Sequence, residues 1–337
     1  MANTTARQKR RFSDVVLSFV FIVLLIACVA VFIFPYAERA GGAVAGSADW
    51  MKTLDDGLYL SELTLPGTHD SATRFVGLPL FSRCQSSSVA NQLEDGFRYL
   101  DIRLGVCEKD GEERLALMHG FTYCHSSIWP WSERLYFDDV LKSCADFLKA
   151  HPSETVIIAV KQEHGSESVK ELQALISRAF AQYPALLLTT DTMPTLGEAR
   201  GSVVLMRRYD DEAGFGAAAG LPLIWTDQGG HKDVNLGKVT AASGALELTV
   251  QDRFEYDEID KWAVFEDCLG ARGSAKNAVC LNFLSTKGTL KYGHPYYFAA
   301  RLNRHLVRHD IPKNSGWIVV DFGNAEAAQH IYSVNFN

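Results

Sequence analysis

The chain has 337 residues, 47% of them hydrophobic and 22% charged, with a formal net charge of −7. This is the composition of a folded globular enzyme, and it excludes a disordered or collagen-like chain. The acidic balance also argues against a nucleic-acid backbone as the main partner, because such binders need clustered Lys and Arg. No internal repeat and no low-complexity run is present.

In chain order, the first element is an almost unbroken apolar run from Val15 to Phe34, preceded by Arg7, Lys9, Arg10 and Arg11. A bilayer core needs about 20 apolar helical residues, and flanking basic residues stay on the cytoplasmic side. The pattern predicts a basic cytoplasmic tail over 1–14, a transmembrane signal anchor over 15–35 and an extracytoplasmic body. A cleaved signal peptide is the alternative, with Ala43-Val44-Ala45 as a small-residue cleavage pattern; the apolar run is longer than such peptides usually carry. Small and glycine residues around Gly41, Gly42 and Gly46 read as a linker, placed over 36–56. The remaining residues, 57–337, read as the catalytic body. Beyond Cys28, six cysteines (Cys84, Cys107, Cys124, Cys144, Cys268 and Cys280) permit up to three disulfides with undetermined pairing. The other reading is that several are buried thiols. No Cys-x-x-Cys pair suggests zinc.

Past the linker, strand-like runs alternate with helical ones. Strands are expected at 60–66, 97–104, 155–161, 202–207, 247–252, 279–284 and 316–321, with a weak eighth at 222–226. Helical faces are expected over 133–150, over 169–180 and around Phe298, Leu302 and Leu306. Strand–helix alternation with about eight strands predicts an α/β fold, an irregular (β/α)8 TIM barrel preceded by the transmembrane helix. An open doubly wound sheet would carry a Gly-rich phosphate loop after its first strand, and none is present.

Barrel enzymes gather their catalytic groups at the C-terminal strand ends. Here those ends read Thr68-His69-Asp70, Asp101-Ile102-Arg103, Lys161-Gln162-Glu163, Arg207-Arg208-Tyr209, Gln251-Asp252-Arg253-Phe254, Asn282-Phe283 and Asp321-Phe322. Unpaired charges are costly to bury there, so the set points to chemistry. A turn at Asp110-Gly111 returns Leu115, Leu117 and His119 alongside Ile102, which brings His119 beside Arg103 and near His69. Two imidazoles flanking a guanidinium suit phosphodiester cleavage by an internal hydroxyl. One ring takes the hydroxyl proton, the other protonates the leaving oxygen, and the arginine holds the phosphate charge. Singly, each residue has a structural reading: a turn histidine, an Asp101–Arg103 ion pair, a helix cap at Asp252. Together they form a constellation.

Through Leu65-Pro66-Gly67-Thr68-His69-Asp70-Ser71, Asp101-Ile102-Arg103, Met118-His119-Gly120 and Pro152-Ser153-Glu154-Thr155, the chain resembles the X domain of phosphatidylinositol-specific phospholipases C, in its bacterial, metal-independent branch. The likeness spans about residues 57–335. It implies that His69 is the base on the inositol 2-hydroxyl, oriented by Asp321. It implies that His119, coupled to Asp70, is the acid on the diacylglycerol oxygen, and that Arg103, held by Asp101, binds phosphate. Lys161, Arg208 and Asp252 would bind inositol hydroxyls, and Phe254 stands where the family usually has a stacking tyrosine, so one hydroxyl is missing. The calcium-dependent branch places metal ligands at positions matching Asp70, Asp101, Arg103 and Lys161. Two cations stand there here, so no metal and no cofactor is expected. The expected partners are a membrane inositol phospholipid or glycosylphosphatidylinositol and the bilayer, with the chain a monomer. The alternatives are a metal-dependent phosphodiesterase on the same barrel and a catalytically silent lipid-binding domain.

Overall fold

The computed structural model describes residues 2–30, 44–129, 131–163, 167–229, 239–271, 275–288 and 294–336. The chain opens with helix α1 (Ala2–Cys28), whose apolar side chains from Val15 onward are exposed rather than packed on the body. Among the described residues, no helix is long and apolar enough to cross a membrane; the last part of the expected span, residues 31–35, lies outside them. Within the stretch expected as a linker, Ser47–Thr53 forms a 3-10 helix that buries Trp50 and Met51.

Eight strands run parallel: β1 (Leu65–Thr68), β2 (Tyr99–Lys109), β5 (Val156–Gln162), β6 (Val203–Arg207), β7 (Leu221–Pro222), β9 (Leu246–Gln251), β10 (Ala278–Phe283) and β11 (Trp317–Val320). Their order is β7-β6-β5-β2-β1-β11-β10-β9, with β8 (Val239–Ser243) antiparallel outside β9. Among the described residues β7 and β9 do not pair, so the ring is nearly closed; the Ile224 N–H donates to the Ser243 hydroxyl (3.0 Å) across the gap. Inward-facing Leu65, Tyr99, Ile157, Val204, Leu248, Leu281 and Val319 fill the barrel with a single apolar core, because alternate residues of each strand share one face.

Outside, α4 (Phe137–Ala150) and α5 (Val169–Phe180) cover β2 and β5 with their apolar faces. Ser168 starts α5 as a reciprocal cap with Glu171. On the other side α7 (Glu258–Cys268), α8 (Pro295–Leu306) and α9 (Ala325–Tyr332) pack on β10 and β11. At the base, buried Arg98 and Glu154 pair at 2.9 Å. Arg98 also donates to the Ser47 and Ala48 carbonyls, and the Met51 N–H donates to Glu154.

Several boundaries differ from expectation, among them β2, expected to end at 104 but running on to Lys109. The run expected as a strand over 60–66 begins with a 3-10 turn, Leu60–Glu62, because the Tyr59 N–H bonds the Glu62 carboxylate (2.9 Å) and the chain closes on itself; β1 starts only at Leu65. The eighth strand, expected over 222–226, is reduced to Leu221–Pro222, since proline has no N–H to continue a ladder. The helix expected from 133 starts at Phe137: Leu135 is held extended by backbone bonds to Leu117 and Cys124. Among the described residues no disulfide is formed; five of the seven cysteines are buried, and the Cys268 and Cys280 Sγ atoms lie 3.5 Å apart.

Candidate active site

Strand β1 delivers His69 to the barrel mouth, where its N–H donates to the Val320 carbonyl (3.0 Å). The next residue, Asp70, sits at φ 43°, a left-handed backbone that is strained for a residue with a side chain. That turn buries the Asp70 carboxylate at the centre of the site. Its Oδ1 lies 2.6 Å from Arg103 Nε, and its Oδ2 lies 3.3 Å from Nε2 of both His69 and His119.

β2 places Asp101 and Arg103 two residues apart, on one face, with Asp101 Oδ2 3.3 Å from Arg103 Nη2. β3 (Glu112–His119) returns antiparallel to β2, with Leu104 opposite Leu117, and sets His119 at the mouth. The His119 Nδ1–H donates to the Ser82 carbonyl (2.7 Å), which leaves Nε2 as the nitrogen that gains or loses a proton. His69 Nδ1 likewise binds Asp321 Oδ1 (2.8 Å), at the end of β11, so its Nε2 is the working nitrogen. The two ring centroids are 6.3 Å apart, with the Arg103 Nη2 at 2.9 Å from His69 Nε2.

Charge sets the protonation. Burial works against a cationic His69, yet Asp70 and Asp321 outweigh it and raise the ring to about 9. A guanidinium has no lone pair, so its approach to Nε2 is a hydrogen bond only to the neutral ring. His69 thus has a high proton affinity, which the neighbouring Arg103 charge moderates. Burial would also discharge Asp101, but Arg103, His69 and Arg208 hold it below the usual carboxylate range. Burial disfavours charge on Arg103 as well, and is overcome by Asp70, Asp101 and Glu163.

A cavity of about 380 Å³ opens above these groups. It is lined by His69, His119, Arg103, Asp321, Lys161, Arg208, Asp252 and Phe254. All ten residues singled out in the sequence therefore meet at one mouth; Asp70 and Asp101 lie buried beneath it. Lys161 is held by Glu163 (3.0 Å). The Arg208 guanidinium stacks on Trp225 at 3.7 Å, and the Trp225 Nε1–H donates to Asp252 (3.3 Å).

Sequence reasoning missed Glu163, which accepts from Arg103 (3.1 Å), from Lys161 and from the Gly120 N–H (2.9 Å). Its signal was available: it stands two residues past Lys161 at the same strand end. Burial would raise its carboxyl, but Arg103 and Lys161 pull it far below the ordinary range. Trp225 and Cys84 also line the cavity; only the turns after β7 and α2 (Pro79–Ser82) bring them there, and no local pattern announces either. His69, Asp70 and Cys84 offer possible ligand atoms within 4.8 Å of one another. A hard cation there would have to displace the Arg103 guanidinium from Asp70.

Residues 67–209 match the family model of the phosphatidylinositol-specific phospholipase C, X domain. The chain is 28% identical over 307 residues to the 1-phosphatidylinositol phosphodiesterase of Staphylococcus aureus (strain Newman), covering 85% of this chain and 92% of that protein. It is 26% identical over 304 residues to the Listeria monocytogenes protein of the same name, covering 85% and 84%. Human PI-PLC X domain-containing protein 1 matches about half of the chain, at 28% identity over 199 residues. Among solved structures, a point mutant of the S. aureus phosphatidylinositol-specific phospholipase C superposes with a TM-score of 0.71 at 23% identity, covering 86% of this chain and 96% of that one. That likeness establishes the barrel fold.

Proposed function

We propose, from the match of residues 67–209 to the phosphatidylinositol-specific phospholipase C X-domain model and from the similar bacterial phosphodiesterases, that the chain cleaves inositol phospholipid to diacylglycerol and an inositol cyclic phosphate. The carrying observation is the pair of histidines facing one cavity with Arg103 between them, each ring oriented through Nδ1. His69 Nε2 takes the proton of the inositol 2-hydroxyl, and that oxygen attacks phosphorus. Arg103 Nη atoms hold the non-bridging oxygens as charge builds. The bond from phosphorus to the diacylglycerol oxygen breaks, and His119 Nε2–H protonates that oxygen. Asp70 supports the cationic form of His69 and lies 3.3 Å from His119 Nε2, and Asp101 and Glu163 fix the guanidinium. Lys161, Arg208 and Asp252 line the wall that faces the inositol hydroxyls, and the Phe254 ring offers an apolar face for the sugar.

No step needs a metal, because Arg103 supplies the positive charge a cation would otherwise bring. Release of headgroup from phosphatidylinositol vesicles, compared with a glycosylphosphatidylinositol substrate and run in EDTA, tests the reading. Unchanged turnover in chelator supports it; full loss restored by calcium would support the metal-dependent alternative.

The proposal extends to topology. Residues 15–35 form a single-pass signal anchor, and the barrel from about 57 onward lies outside the cytoplasm. Its support is the exposed apolar surface of α1 from Val15 and the basic residues before it.

A further inference from the structure

Two residues that line the cavity, Asp252 and Phe254, come from one short turn, which follows the end of β9 at Gln251 and leads into α7. Gln251 and Arg253 alternate with them along the chain and are buried. Behind this turn stands Lys261, the fourth residue of α7, which is fully buried. Its Nζ donates to Gln251 Oε1 (2.9 Å) and to the Arg253 carbonyl (3.0 Å). One ammonium therefore grips both chain neighbours of Asp252.

The ammonium is costly where it stands. A buried cation is unfavourable without a counter-charge, and the N-terminal turn of a helix disfavours one. Both acceptors are neutral oxygens, and among the described residues no carboxylate forms an ion pair with Lys261. Burial pulls the amine down to about 7, with attraction from Asp252 and Asp321 opposing it only in part. An apolar side chain of similar length would fill the space without that cost, so packing gives no reason for an amine.

The hydrogen bonds supply a reason. Gln251 Oε1 also accepts from the Arg253 N–H (2.9 Å), while Gln251 Nε2 donates to Asn282 Oδ1 (2.9 Å) and to the Phe283 carbonyl (2.7 Å). Asn282 Nδ2 in turn donates to the Phe265 carbonyl of α7 (2.9 Å). Lys261 closes this network onto the main chain of the turn. The Arg253 carbonyl belongs to the peptide that leads into Phe254, so holding it sets where that ring stands.

We infer that Lys261 is a positioning residue for the inositol subsite, holding the turn so that the Asp252 carboxylate and the Phe254 ring face the sugar, a role that rests on the phospholipase reading above. It lies outside the cavity lining and touches no substrate. Its effect belongs to headgroup binding, while proton transfer and phosphate stabilisation stay with His69, His119 and Arg103.

The test uses the full chain and a water-soluble nitrophenyl ester of inositol phosphate. Lys261→Met should raise KM about tenfold and leave kcat within about threefold, the pattern of lost headgroup binding. Its urea midpoint should not fall below that of the wild type, since a buried cation has been removed. Lys261→Gln, which keeps an N–H donor, should fall between the two in KM. In a double-mutant cycle, Lys261→Met should add less than about twofold to the KM of Asp252→Asn, because Lys261 acts through that turn. A lowered midpoint with unchanged KM would mean that Lys261 supports the fold alone, and would overturn the inference. So would a fully multiplied loss in the double variant, or an equal fall in kcat and kcat/KM. If Lys261→Met does not fold, Lys261→Gln enters the same cycle with the same criteria. Binding of myo-inositol by calorimetry separates this role from the enzymatic reading. A wild type that binds inositol but turns over no phosphodiester would sink the phospholipase reading; Lys261→Met would still have to weaken that binding about tenfold, and unchanged binding would overturn the positioning role.

Discussion

At the scale of residues, the site is a chain of opposite charges from Glu163 through Arg103 and Asp70 to the two imidazoles. Replacing His69 or His119 by Ala should each lower turnover at least about a hundredfold, the usual contribution of a positioned acid or base; steady-state rates on phosphatidylinositol check it. Asp321 has a separate signature. The raised affinity of His69 puts the acid limb of kcat/KM near the ring's value of about 9, with activity rising as the ring loses its proton. Asp321→Asn removes one raising charge, so the limb should move to lower pH even as the maximum rate falls. A limb that stays in place would mean that another group is the base. Stability follows the opposite sense: a raised histidine stabilises fully below its unfolded value of 6.5, and that contribution is lost as pH climbs through about 9. In Asp321→Asn the loss should be smaller and should end at a lower pH, read by urea denaturation across that window.

At the scale of elements, most of the barrel was legible because each parallel strand is a short apolar run ending in a polar group. The runs at 155–161, 202–207 and 279–284 reappear within one or two residues as β5, β6 and β10. His119 was legible because the Asp110-Gly111 turn fixes the β2–β3 register, and both residues take positive φ there. Leu60–Glu62 was not, because a side chain three residues away competes with the ladder for the Tyr59 N–H. Trp225 and Cys84 were not, because loops place them and loop geometry is set by tertiary contacts. The base of the barrel offers its own test. Arg98 and Glu154 are both fully buried, and Glu154→Gln leaves the guanidinium without a counter-charge, which should destabilise by about 3–5 kcal/mol. Arg98→Met with Glu154→Met should cost less than the single change. Denaturation midpoints decide, and equal losses would mean the pair matters for packing alone.

At the scale of the whole molecule, the segment entering the barrel, Ser47–Thr53, is fastened at the base through Arg98 and Glu154, while the cavity opens at the opposite, C-terminal ends of the strands. Protease treatment of sealed vesicles should digest the chain from about residue 41 onward and spare the anchor; a protected barrel, or a soluble one cleaved near Ala45, would remove the single-pass topology. The central claim is that this fold joins a base from β1 to an acid from β3, 50 positions further along the chain, across one phosphodiester. The most direct measurement compares His69→Ala and His119→Ala, in EDTA, on phosphatidylinositol and on an inositol phosphodiester whose leaving group is a nitrophenol. A nitrophenolate departs without a proton, so it bypasses a general acid but not a general base. His119→Ala should recover most of its lost rate on the activated substrate, and His69→Ala should stay slow on both. Equal, unrecovered losses in the two variants, or recovery in His69→Ala instead, would contradict the assignment.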